Sequence, residues 1–250
     1  MFSEIALNHS PSVLAITVAV VFLASFARGY LGFGFSAIFM VGLLPFIPVS
    51  QLVPMSIALE ILASSSQAPR ILPDVHRRYL VVLLAASAIG VPGGVYLLAT
   101  FSEEVLTLAV YGVIAASTLV LLASKPQPVS IAHPHLFAAG LVAGVVNGAT
   151  ALSGLVLALF FASSTVSSRT MRATMIAYLF FTDIITAGLL MAASLYDAQT
   201  VAQTAIAIPS MLAGVWLGGR QFLKTPSDKF KTLVTWLLLG FCVVGVFQFL

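Results

Sequence analysis

Ser102-Glu103-Glu104-Val105-Leu106-Thr107-Leu108-Ala109-Val110-Tyr111 and Ser227-Asp228-Lys229-Phe230-Lys231-Thr232-Leu233-Val234-Thr235-Trp236 carry one pattern twice. Working outward from them, the match continues. Gly90 and Gly94 fall opposite Gly214 and Gly218, Gly34 opposite Gly154, and Glu60 close to Asp183, so the offset stays at about 120 to 125 residues. Both copies are almost wholly apolar. A duplicated apolar chain is the usual chassis of a membrane protein made of two structural repeats, with its binding site near the bilayer midplane.

Composition excludes most other classes. The 250 residues are 60% hydrophobic and only 8% charged. Soluble domains average about 25% charged residues, so this chain cannot cover a water-facing surface. The net charge of +3 reflects a small surplus of Lys and Arg. In a membrane protein that surplus sits in cytoplasmic loops beside anionic lipid, and it is not a nucleic-acid footprint. The one cysteine, Cys242, lies in an apolar run and has no intrachain disulfide partner. Met1 to Pro11 lacks a basic leader region and a cleavage site, so the first apolar stretch reads as a retained helix.

Apolar segments run at about 12–28, 33–46, 50–69, 79–100, 104–123, 134–148, 151–164, 170–192, 199–219 and 229–249. Segments near 20 residues span a bilayer. The short ones, 33–46 and 151–164, each follow a glycine-containing stretch, Gly29–Gly34 and Gly148–Gly154. Short, interrupted segments at matching places in two halves point to a transporter binding site. Arg70, Arg77 and Arg78 share one loop, Lys125 lies in another, and Arg220, Lys224, Lys229 and Lys231 form a third. Glu103, Glu104 and Asp197 occupy loops without basic residues. Placing every basic loop in the cytoplasm requires all ten segments to cross. The expected fold is an all-α polytopic membrane protein of two inverted repeats, residues 1–125 and 126–250. Each has five segments, giving eight long helices and two short ones, with both termini outside. Re-entrant short segments, leaving eight crossings, are the alternative.

Ser102 and Ser227 read as N-caps, with Glu103 and Asp228 complementing the helix dipole. Gly140, Gly144 and Gly148 are spaced four apart, as are Gly214 and Gly218, which lets helix backbones approach closely in lipid.

Ionisable side chains inside membrane segments are costly and few here. Arg28 precedes the first glycine break. It is either a bidentate anion ligand beside free helix N–H groups or an anchor at the cytoplasmic end. Glu60 and Asp183 lie mid-segment in corresponding helices. A carboxyl in a poorly solvated site can take up and release a proton near neutral pH, so both are candidates for proton coupling. A buried tie to an arginine, threonine or glutamine is the bland reading. Gly32, Gly34, Tyr30 and Ser36 at the first break, and Asn147, Thr150, Ser153 and Gly154 at the second, are candidate substrate contacts, or they satisfy unwound backbone. Arg169 and Arg172 open a long helix, as anchors or as guides for an anion entering the mouth. His9, His76, His133 and His135 lie in tails or loops without metal spacing, and no phosphate-cradling loop exists. No cofactor and no metal are therefore expected. The partners expected are a small anion, protons and lipid, in a monomer or homodimer.

The layout resembles the TauE/SafE family, the sulfite exporter and sulfonate permease group of bacterial membranes. The resemblance rests on length, on the two-half architecture and on two stretches. One is Ala27-Arg28-Gly29-Tyr30-Leu31-Gly32-Phe33-Gly34-Phe35, followed by Leu43-Leu44-Pro45. The other is Gly144-Val145-Val146-Asn147-Gly148-Ala149-Thr150-Ala151-Leu152-Ser153-Gly154. It covers about residues 12–249. It implies a non-enzymatic carrier of a small sulfur anion, sulfite or an organosulfonate such as sulfoacetate, across the bacterial inner membrane, with export favoured. It also implies that the two breaks, Arg28 to Ser36 and Asn147 to Gly154, frame the anion. A drug/metabolite-type exporter with the same 5+5 logic, relying on Glu60 and Asp183 to hold a cation, is the alternative. A lipid-diphosphate phosphatase would need clustered Glu, His or Arg that the chain lacks.

Overall fold

A computed structural model describes residues 11–123, 133–162, 164 and 166–223. Among them are nine α-helices and no β-strand. The helices are α1 (Pro11–Leu31), α2 (Phe35–Leu43), α3 (Val49–Ile71), α4 (Arg77–Thr100), α5 (Glu103–Ala123), α6 (His133–Thr150), α7 (Ser153–Ala162), α8 (Ser168–Ala192) and α9 (Ala198–Leu223). The apolar segment 229–249, the second copy Ser227–Trp236, Lys125, Lys224 and Cys242 lie outside the described residues. Among the described residues, five helices are long and apolar enough to cross a membrane: Ser12–Leu31, Val49–Pro69, Arg77–Thr100, Ser168–Ala192 and Ala198–Phe222.

The short helices α2 and α7 have nine and ten residues. At 1.5 Å per residue each covers roughly half of a bilayer core of about 30 Å. Backbone geometry makes the breaks before them. Gly32 and Gly34 adopt φ of 87° and 91°, a region open to glycine at no steric cost, and Ala151 adopts φ 58° at the second break.

Glycine sets the packing of two helix pairs. A Cβ on Gly94 would lie 2.1 Å from the Val145 carbonyl oxygen, and one on Gly148 2.5 Å from that of Val91. The contacts Leu83–Gly140, Ser87–Gly144 and Val91–Gly148 advance together, so α4 and α6 run parallel. A Cβ on Gly218 would lie 2.1 Å from the Phe26 carbonyl oxygen, and one on Gly214 2.6 Å from that of Phe22, so α9 and α1 also run parallel. Each pair carries one serine across it. Ser87 Oγ donates to the Gly140 carbonyl and Ser210 Oγ to the Val18 carbonyl, both at 2.7 Å. The four-residue glycine spacing thus serves close backbone packing, as the sequence suggested.

Helices α3 and α8 cross the centre antiparallel, with Gln67 bonded to Arg172 at one end and Pro54 to Tyr196 at the other. Charged residues sort to opposite ends of the bundle. Asp74, after α3, lies 3.9 Å from Arg169 at the start of α8. Arg220 near the end of α9 stacks on Trp216, 3.7 Å from the ring centroid. At the far end Glu103 accepts from the Val49 and Ser50 N–H groups at 2.9 and 3.2 Å. Expected to serve its own helix, Glu103 also caps α3. The basic loops around Arg77 and Arg169 and the α9 terminus at Arg220 therefore share one end.

Candidate anion site

Two clusters form in the interior, one at each break. In the first, Arg28 on the last turn of α1 is fully buried. Its Nη1 lies 3.1 Å from Glu60 Oε2 and donates to the Gly32 carbonyl at 3.1 Å. Its Nη2 donates to Ser64 Oγ at 2.5 Å. Ser36 Oγ, in the first turn of α2, donates to Glu60 Oε1 at 2.8 Å. One guanidinium donor, Nε, has no hydrogen-bond partner among the described residues. Burial overturns the reading of Arg28 as an anchor at the cytoplasmic end. It also shows the helix tie foreseen for Glu60: a buried arginine is tolerable only with a counter-charge and bonded donors.

The second cluster repeats the layout with different chemistry. Asn147, near the end of α6, donates from Nδ2 to Asp183 Oδ1 at 3.0 Å and to Thr186 Oγ1 at 2.9 Å. Its Oδ1 accepts from Ser153 Oγ at 2.6 Å. Asn147 precedes the left-handed Ala151 by four residues, as Arg28 precedes Gly32. Neutral Asn147 thus stands where the first half has a cation. Asp183 Oδ2 has no hydrogen-bond partner among the described residues. Thr150, expected at the break, bonds back to the Val146 carbonyl of its own helix at 2.9 Å.

The breaks meet. A Cβ on Gly154 would lie 3.4 Å from Phe33 Cβ and 3.9 Å from the Gly34 nitrogen. The N-termini of α2 and α7 therefore converge, and each carries about half a positive charge from its unsatisfied N–H groups. Gly34 is the N-cap of α2 and offers no side-chain bond to its first turn. Phe33 and Phe35, both fully buried, fill the space beside the junction.

Beyond this core a cavity of about 450 Å³ opens at the basic end, lined in part by Asp74, Arg169, Arg172, Gln67 and Trp216. Arg169 is largely exposed at its rim. Arg172 reaches inward. Its Nη2 donates to the Gly29 carbonyl at 2.7 Å and to Gln67 Oε1 at 2.9 Å, and its Nε donates to the Tyr30 carbonyl at 3.2 Å. Its guanidinium also lies 4.3 Å from the Phe222 ring centroid. Arg172 therefore stands between the cavity and the buried cluster. At the opposite end Tyr196 donates to the Pro54 carbonyl at 3.1 Å. Burial, and then the Asp183 carboxylate, push its phenol up to about 12, which keeps it a donor.

The sequence reading missed Ser64, Gln67 and Thr186. Their signal was a polar stripe in an apolar helix: Ser56, Glu60, Ser64 and Gln67 recur at helical spacing on α3, and all are buried. No group of His, Cys, Asp and Glu with metal geometry occurs among the described residues.

The family model described as sulfite exporter TauE/SafE matches residues 17–245, nearly the whole chain. The chain belongs to the TauE/SafE sulfite exporter family. Neither a curated protein nor a solved structure matches it. As a TauE/SafE member it is a transporter and not an enzyme, and its apolar helices make it an integral membrane protein. The family implies a small sulfur anion as cargo.

Proposed function

We propose that this chain is a secondary transporter that exports a small sulfur oxyanion, sulfite or an organosulfonate, across the bacterial inner membrane by alternating access. Residues 1–125 and 126–250 are its two inverted repeats. The matched pairings support that reading: α1 with α9 mirrors α6 with α4, down to Ser210 and Ser87. The basic end, with Arg77, Arg169 and Arg220, faces the cytoplasm by the positive-inside rule, and both termini face outward. The cavity at that end supports reading this conformation as inward-facing.

One observation carries the substrate class. A fully buried guanidinium with a free Nε donor is tied to the first break through Gly32 and, by way of Glu60, to Ser36 in the first turn of α2, whose N-terminus meets that of α7. Helix N-termini and arginine together favour an oxyanion. The cationic alternative fares worse because Arg28 already neutralises Glu60. Glu60 and Asp183 are the interior groups able to move a proton, and Arg169 and Arg172 draw the anion into the mouth. The test is flux in proteoliposomes with a panel of sulfite, sulfoacetate, sulfate and an organic cation. Counterflow of the sulfur anions alone is expected. Selective transport of the cation would overturn the reading.

A further inference from the structure

The two interior carboxylates sit in unlike surroundings, and charge balance separates their roles. Glu60 has a full counter-ion in Arg28, 3.1 Å away, and a hydroxyl donor in Ser36. Asp183 has only neutral donors, with Asn147 in the place the first half gives to arginine. Its Oδ2, almost completely buried, has no hydrogen-bond partner among the described residues. The groups facing Asp183 are Glu60 and Arg28 from the other half, Asn147 from α6, Tyr178 one turn earlier on α8, and Tyr196 beyond its end. Arg28 is the one cation among them.

Resting on the anion-transport reading, we propose that Asp183 alone carries the coupled proton, one per monovalent anion and in the same direction. Glu60 remains ionised as the partner that positions Arg28. In the empty site, Arg28 and two helix ends of about +0.5 each balance Glu60 and an ionised Asp183. A bound sulfonate adds one negative charge to a buried, poorly screened site, where like charges repel strongly. Glu60 cannot relieve the excess without leaving Arg28 unpaired. A proton on Asp183 Oδ2 restores the balance and removes a buried charge that lacks a counter-ion. The step forms one O–H bond on Asp183 as the anion enters and breaks it as the anion leaves. Export then runs down the anion's own outward gradient and takes one proton out with each anion.

Two readouts test this. The first is proton uptake when methanesulfonate, whose charge is fixed around neutral pH, binds the purified full chain in weak buffer. Wild type takes up about one proton per bound anion, and Asp183→Asn takes up none. Anion binding without proton uptake in wild type overturns the proposal and leaves the transport reading intact; no anion binding at all overturns the transport reading itself. The second readout is accumulation in proteoliposomes with the membrane potential clamped at zero. A one-unit pH step drives about tenfold accumulation on the alkaline side for one proton and about a hundredfold for two. Tenfold is expected, and is abolished in Asp183→Asn while counterflow persists. A hundredfold, a response to a sodium gradient in place of protons, or gradient-driven accumulation by Asp183→Asn overturns the proposal. Should Asp183→Asn fail to fold, Asp183→Glu decides together with the wild-type stoichiometry: a shifted pH dependence of proton uptake is expected, and an unshifted one overturns the proposal.

Discussion

Arg28 is the residue on which the account turns. Removing one partner of a buried ion pair costs about 3–5 kcal/mol because it strands the other charge, while an apolar replacement of both is often tolerated. Arg28→Ala should therefore lose folded yield as well as transport. The double variant Arg28→Met with Glu60→Leu should regain the yield and a normal melting profile but carry no anion. Size-exclusion behaviour in detergent together with vesicle counterflow separates the two effects; transport by the double variant would remove Arg28 from the binding site. The sequence singled out Arg28, Glu60 and Asp183 because intramembrane charges are rare. It left open whether Arg28 bound an anion or anchored the cytoplasmic end, since the distance from Arg28 to Glu60 depends on where α1 breaks. Asn147 and Ser153 were visible only as small polar residues at a break. That they bond each other and Asp183 follows from how α6, α7 and α8 meet, which no local pattern specifies.

At the level of helices, glycine position is the sharpest handle. Gly93 has open space where a Cβ would sit, whereas one on its neighbour Gly94 would meet the Val145 carbonyl at 2.1 Å. Gly94→Ala should destabilise the α4–α6 pair by about 1–3 kcal/mol, as overpacking does, and Gly93→Ala should leave stability unchanged or slightly raised. Thermal melting in detergent reads both; equal effects would mean that the α4–α6 contact is wrong. The same contrast holds on α9, where a Cβ on Gly218 meets the Phe26 carbonyl at 2.1 Å and one on Gly219 meets nothing nearer than 3.8 Å. This much was legible beforehand, because four-residue glycine spacing has few uses in lipid. The helix ends were less so. The first segment was read to Arg28 and runs to Leu31, because Gly29 sits comfortably in a helix when a neighbouring backbone needs its missing side chain.

For the molecule as a whole, the apolar pattern foretold an all-helical membrane protein, which the described helices show, while the inverted 5+5 topology remains a proposal drawn from the duplicated pattern and the loop charges. The inverted relation predicts thiol labelling by side. In a background with Cys242→Ser, Asp74→Cys and Arg169→Cys should react with an impermeant reagent only in inside-out vesicles, and Asp197→Cys only in intact spheroplasts. Labelling of Asp74→Cys and Arg169→Cys from opposite sides would break the ten-crossing arrangement. The substrate class was never legible in composition or spacing. It enters through family membership and through the chemistry of one buried guanidinium tied to the break where two helix N-termini meet. The most direct measurement is therefore the position of a bound anion, read as anomalous density from a bromoalkanesulfonate in crystals of the full chain. The account predicts a sulfonate at the junction of α2 and α7 with Arg28 Nε donating to one of its oxygens. Density confined to the outer cavity beside Arg169 and Trp216, with the junction of α2 and α7 empty at saturating ligand, would contradict it.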